Sequence, residues 1–386
     1  MTFLEPAYGS RSLGDVLPAV ARALGSPLRG GPGGPEVDGA LVLPSAPSYV
    51  VFLVDGLGAR LLERHAHAAP YLASLLEESG GATGAGSGTA GVPSTTATSL
   101  TSLGTSLTPG THGVVGFTAR VPGTDRLLNH LQWDTALVDP VDWQPHETTF
   151  AALADAGVRV TQVNKREFDG SPLTTASARG ADFVGADKVG ERIAAAVESS
   201  TPRGAPALTY LYDPDLDWTG HRHGVASSAW LQQLAMVDAE AEQLRDALSP
   251  DRRLLVVADH GMVDCPPEAR TDVDQHLALL DGVAVLGGEA RFRHLYCRSG
   301  AVDDVVATWR EHLGDRADVL TRADAVARSW FGPATAAVRP RLGDVVVACH
   351  GDHGIFSSER FDYETRLVGL HGSLTDDEMR IPLLVG

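Results

Sequence analysis

Four short apolar runs that end on polar groups constrain this chain more than any other feature. "YVVFLV" (49–54) runs into Asp55, and "VRVTQV" (158–163) runs into Asn164. "ALTYLY" (207–212) runs into "DPDLDWTGHRHG" (213–224), and "LLVVA" (254–258) runs into Asp259 and His260. Continuous apolar runs of this length, alternating with helix-like segments, predict a mostly parallel sheet covered on both faces. In such sheets functional groups collect beyond the carboxyl ends of the strands. Asp55, Asp217, Asp259 and His260 all fall there.

The rest of the chain arranges around that core. Leu13, Val16, Leu17, Val20 and Leu24 predict a helix over 10–25, followed by a Gly/Pro-rich loop, "GSPLRGGPGGPEVDG" (25–39). Between about 265 and 364 the pattern changes: strand-like "GVAVLGG", "RHLYCR" and "GDVVVAC" surround a helical "VDDVVATWREHL", with none of the strand-end acid clusters. The last run, "IPLLVG", is expected to rejoin the main sheet. The expected organisation is therefore an N-terminal helix and linker (1–40), a core segment (41–264), a small α+β cap (265–364) and a second core segment (365–386).

Composition narrows the classes of function. A net charge of −18 weighs against binding nucleic-acid polymers, which calls for clustered Lys and Arg. No uncharged run approaches the ~18–20 residues of a membrane span, and the first residues lack a secretion-signal pattern. Three widely spaced cysteines (Cys265, Cys297, Cys349) argue against a disulfide framework or a thiolate metal site and favour the cytoplasm.

Several groups carry potential chemistry. Asp217 and His221, four apart around a Gly-containing turn, suit a divalent metal, although a solvated acidic loop has the same composition. Spacing does not exclude Asp213 or His223 from that role. Asp55-Gly56 is a ligand or a simple turn. Ser94, Thr95 and Thr96 precede the helical "SLTSL", where hydroxyls act as caps or, in the favourable field of a helix start, as a nucleophile.

Taken in order, these segments resemble the type I phosphodiesterase/nucleotide pyrophosphatase branch of the alkaline phosphatase superfamily, over roughly 45–265 and 366–386. The strand-end Asp is Asp55, "D-x-x-G-H" is Asp217 to His221, "D-H-G-M" is Asp259 to Met262, and the late "H-G" is His371-Gly372. Counting back from the "P-x-x-H-G" of Pro109 to Gly113 lands on Thr96 as the nucleophile, with Thr95 and Ser94 beside it.

The resemblance implies an α/β, alkaline-phosphatase-like core with a mostly parallel sheet between helices, plus the small cap. It also implies two divalent metal ions, usually zinc, with manganese or magnesium as alternatives. One would lie on Asp217, His221 and His371, the other on Asp55, Asp259, His260 and Thr96. Four positive charges against three carboxylates would give an acidic protein the cationic focus that an anionic substrate needs.

The implied activity is hydrolysis of a phosphodiester or nucleotide pyrophosphate through a phospho-threonine, with a small phosphorylated substrate such as a nucleotide. A phosphomonoesterase or phosphoryl transferase on the same scaffold is the alternative; a non-enzymatic relic would be expected to have lost a ligand. No C-x-P-x-R or S-x-P-x-R motif points to a sulfatase. In one respect the chain departs from the pattern. The family's Asn after the "HG" segment, a donor to a phosphoryl oxygen, is matched by Phe117, and loss of such a donor costs about 10²–10³ in rate. Asn129 and Asn164 are candidate replacements, and Lys165 and Arg166 candidate cations for a monoester.

Overall fold

The computed structural model describes residues 3–29, 36 and 39–386. The Gly/Pro-rich loop at 25–39 lies largely outside the described residues. Before it, the expected helix begins only at Leu13, with a 3-10 turn (Leu13–Asp15) leading into Val16–Ala23. Ser12 and Asp15 form a reciprocal cap that sets this start.

The principal strands in chain order are β1 (Ser48–Val54), β2 (Ser87–Thr89), β3 (Arg159–Asn164), β4 (Asp182–Gly185), β5 (Ala207–Asp213) and β6 (Arg253–Val257). A smaller sheet follows, made of β7 (Val283–Glu289), β8 (Phe292–Cys297), β9 (Ala317–Thr321) and β10 (Val345–Cys349). Finally β11 (Arg380–Val385) returns to the large sheet, whose order is β2-β11-β6-β1-β5-β3-β4. All the pairs from β6 to β4 are parallel, and β11 runs antiparallel to both its neighbours.

Every residue of β1 and β5 is buried, which is why both read as unbroken apolar runs rather than alternating ones. Register then does functional work. Val54 is level with Asp213, and Leu53 is level with Val257, so β1, β5 and β6 end at one height. The residues that follow, Asp55, Asp217 and Asp259, start from the same rim.

The small sheet is antiparallel throughout, in the order β7-β8-β10-β9. It buries Leu295, Val345 and Val347 against Trp309 of the helix Val302–Leu313, giving that unit its own core. A buried ion pair fastens it to the large sheet. Arg291, just before β8, donates from Nε and Nη2 to the two carboxylate oxygens of Glu378 at 2.9 and 2.7 Å, with both side chains fully buried. Glu378 also accepts the Ser373 N–H, two residues from His371. Removing one partner would strand a buried charge. Arg291→Ala is expected to lose about 3–5 kcal/mol in urea unfolding. Arg291→Met with Glu378→Leu should lose clearly less, because no charge is left alone.

Candidate active site

Beyond Val54 the chain turns sharply at Gly56, where φ is +74° and an added Cβ would sit 3.0 Å from the Asp217 side chain. Only glycine allows both that turn and so close an approach. Asp217 and His221 lie not in a turn, as their spacing suggested, but on the helix Asp215–His223. One turn of helix stacks them on the same face, with His221 Nε2 3.1 Å from Asp217 Oδ2.

His371 arrives from the second core segment. Its Nε2 is 3.3 Å from His221 Nε2 and 3.8 Å from Asp217 Oδ1. His260 stacks on His371 with ring centroids 3.7 Å apart. Its Nε2 lies 3.3 Å from Asp259 Oδ2, 3.6 Å from Asp55 Oδ1 and 3.2 Å from Thr96 Oγ1. All seven sequence-predicted ligands are thus brought together.

The orientation of the imidazoles is informative. His221 Nδ1 lies 2.8 Å from the Gly369 carbonyl, His260 Nδ1 3.0 Å from that of Gly261, and His371 Nδ1 3.0 Å from that of Ser94. A carbonyl only accepts, so each Nδ1 carries a proton and each ring turns its Nε2 inward; burial would lower His221, but Asp217 and the Gly369 carbonyl together raise it to about 8. Three Nε2 atoms therefore face a cluster of carboxylates.

Of those carboxylates, Asp55 Oδ1, Asp217 Oδ1 and Asp259 Oδ2 are buried without a hydrogen-bond partner among the described residues. Burial and the Asp259 and Asp217 charges push the Asp55 carboxyl well above its usual range. Burial likewise raises Asp259. Asp217 goes the other way: burial alone would raise it, but His221, His371 and His260 together outweigh that and hold it low. Such a concentration of acceptors, with no donor to satisfy it, fits divalent cations. Two overlapping donor groups, Asp217-His221-His371 and Asp55-Asp217-His260, each have their ligand atoms within 4.8 Å of one another.

The three candidate hydroxyls have different surroundings. Ser94 Oγ donates to the Ser373 carbonyl at 2.6 Å and accepts the Gly372 N–H. Thr95 occupies the N-cap position of the helix Thr96–Thr105 but makes no side-chain cap bond, and its hydroxyl pairs with Glu289. Thr96, the first residue of that helix, faces His260 and the cluster.

The remaining candidates separate. Phe117 and Asn164 line the pocket above the cluster, whereas Asn129 does not; its Oδ1 accepts the N–H groups of Leu131 and Gln132 in a turn. Lys165 pairs with Asp215 at 2.5 Å, and Arg166 with Asp187 and Glu191. Asp213 is paired to Arg192, and His223 is exposed at its helix end.

Two site residues escaped the sequence. Tyr212 donates its hydroxyl to Asp55 Oδ2. Glu289, at the end of β7, corrects the expectation that the small sheet carries no strand-end acid in the site. It sits in the pocket with its Oε2 3.9 Å from His371 Nδ1, and burial pushes it up to about 8. It belongs to the same kind of signal as Asp55, an apolar strand ending on an acid, but two glycines intervene. The pocket as a whole has a cavity of about 450 Å³.

Comparison with known proteins places this geometry in context. The sequence profile of the type I phosphodiesterase / nucleotide pyrophosphatase family matches residues 49–374. No curated protein sequence matches significantly. Among solved structures, murine ectonucleotide pyrophosphatase/phosphodiesterase 5 superposes with a TM-score of 0.65 at 17% identity, covering 86% of each chain. The human protein of the same name gives 0.64 at 18% identity, covering 87% of each. An inactive variant of the murine protein in complex with AMP gives 0.65 at 16% identity, covering 86% of each.

Proposed function

This chain belongs to the type I phosphodiesterase/nucleotide pyrophosphatase family, and from that premise we propose that it hydrolyses a phosphoric diester with two divalent ions and Thr96 as nucleophile. One observation carries the proposal. Three imidazoles, each with Nδ1–H on a main-chain carbonyl, turn Nε2 toward partnerless carboxylates beside a threonine at a helix start.

In this proposal Asp217, His221 and His371 hold one ion, and Asp55, Asp259 and His260 with Thr96 hold the other. The ions would supply Lewis acidity, lowering the pKa of the hydroxyl and offsetting charge on the phosphoryl oxygens. Thr96 Oγ bonds to phosphorus as the ester oxygen leaves with a proton, and water then releases the phosphomonoester and restores the hydroxyl. The start of the helix Thr96–Thr105 favours negative charge at that oxygen. Zinc suits the mixed imidazole and carboxylate donor set. A nucleotide arm is one candidate for the substrate, since a structural neighbour holds AMP. The three unpaired cysteines suit a cytoplasmic setting.

Acid-quenching the zinc-loaded protein during turnover of bis-p-nitrophenyl phosphate should trap one p-nitrophenylphosphoryl group, mapped by mass spectrometry to Thr96. Turnover with that group on Ser94 or Thr95 would reassign the nucleophile, and no turnover of any phosphoric ester would sink the proposal. Tyr212 has a smaller expected role. Its hydroxyl orients Asp55, so Tyr212→Phe should weaken metal affinity by about 10–100-fold, measured by competition with a chromophoric chelator.

A further inference from the structure

Resting on that proposed function, we infer that the pocket selects phosphodiesters with an uncharged apolar arm, whose only negative charge is the one being attacked, and disfavours pyrophosphates and polyphosphates. The charge inventory of the pocket carries the inference. Among the described residues that line it, none is Lys or Arg. The cations nearby in sequence or space are committed elsewhere. Lys165 and Arg166 hold Asp215, Asp187 and Glu191. Arg293 is buried against Glu364 and the Ile355 carbonyl. Arg222 lies exposed against the Trp218 ring, outside the lining.

Two further carboxyls, Glu289 and Glu364, enter the lining instead. Glu364 is neutralised by Arg293, while Glu289 is met by the Thr95 hydroxyl, the Phe117 N–H and, at 3.9 Å, His371 Nδ1, and adds no positive charge in either protonation state. A β- or γ-phosphate on the substrate would therefore lose its water to a wall offering no cationic replacement.

A second observation points to what the wall does accept. Beyond the metal cluster the lining is mainly Phe117, Trp133, Phe168, Leu173, Tyr210 and Leu367. This apolar surface continues to solvent at Leu131, Trp218 and Tyr363, which are 51%, 58% and 36% exposed. Large apolar side chains left exposed around one opening mark a binding surface for an apolar group. The occupant is the uncharged arm of a diester.

The test compares kcat/KM of the zinc-loaded protein for four substrates. Bis-p-nitrophenyl phosphate and p-nitrophenyl thymidine 5′-phosphate carry one charge; p-nitrophenyl phosphate and thymidine 5′-triphosphate carry more. The two diesters are expected to exceed the triphosphate by about 10²-fold. Gln132→Lys, which puts a cation on the exposed lip, should shift the triphosphate-to-diester ratio upward by about 5–10-fold. Triphosphate turned over as fast as the diesters would overturn the inference and leave the hydrolase intact. Turnover of none of the four would sink the hydrolase and this inference together.

Discussion

Thr96→Ala is expected to lower diester turnover by at least about 10³-fold while most of the bound metal is retained. The expectation discriminates between neighbours. Ser94 is held by Ser373 and Gly372, and its replacement should act on stability by loosening the His371 segment. Thr95 pairs with Glu289, so Thr95→Ala should leave the nucleophile in place. Of the three hydroxyls, Thr96 stands 3.2 Å from the inward-facing Nε2 of His260. Steady-state kinetics with metal analysis on the three single variants measures this directly. A Thr96→Ala protein with near wild-type turnover would move the chemistry elsewhere.

Stripping the divalent ions should abolish turnover and lower the thermal midpoint by at least about 5 °C. The reason lies in the partnerless oxygens of Asp55, Asp217 and Asp259, which without cations face one another across a buried space. Each ion present at about 100 times its Kd stabilises the folded state by about 2.7 kcal/mol, so two contribute about 5.4 kcal/mol. In a chain of this size that corresponds to several degrees. Calorimetry before and after chelation, with zinc added back, checks both halves. In Asp217→Asn with Asp259→Asn the midpoint should respond little to zinc. A midpoint and a rate both indifferent to chelation would rule out a metal centre.

Much of this site was legible in the primary structure because it rests on buried parallel strands. Such strands must be apolar along their whole length, so the polar residue that ends each one stands out, as Asp55 and Asp259 do. Level register then brings them together, and register is not written in any single segment. Local chemistry misled at 213–224, where Gly220 suggested a turn. The helix prevails because Asp215 and Asp217 suit its first turn and Gly220 packs where a Cβ would meet the Met262 sulfur at 2.5 Å. Asn129 looked like a spare amide donor, but a turn in which its oxygen accepts two N–H groups holds it outside the pocket lining. Tyr212 and Glu289 were missed for opposite reasons. The tyrosine hides in an apolar run in which aromatic residues are expected, and the acid reaches the site from a separate sheet whose placement depends on the Arg291–Glu378 pair.

The carbonyls of Gly369, Gly261 and Ser94, which orient the three imidazoles, have one more implication. A peptide oxygen is present whatever side chain the codon specifies, so no point substitution can delete these acceptors. Variation around the centre can therefore remodel the walls of the cavity, and with them the choice of leaving group, while the aim of the three rings stays set by the path of the main chain. Laboratory evolution of new ester preferences in this scaffold would find its freedom in side chains such as Phe117, Trp133 and Leu173.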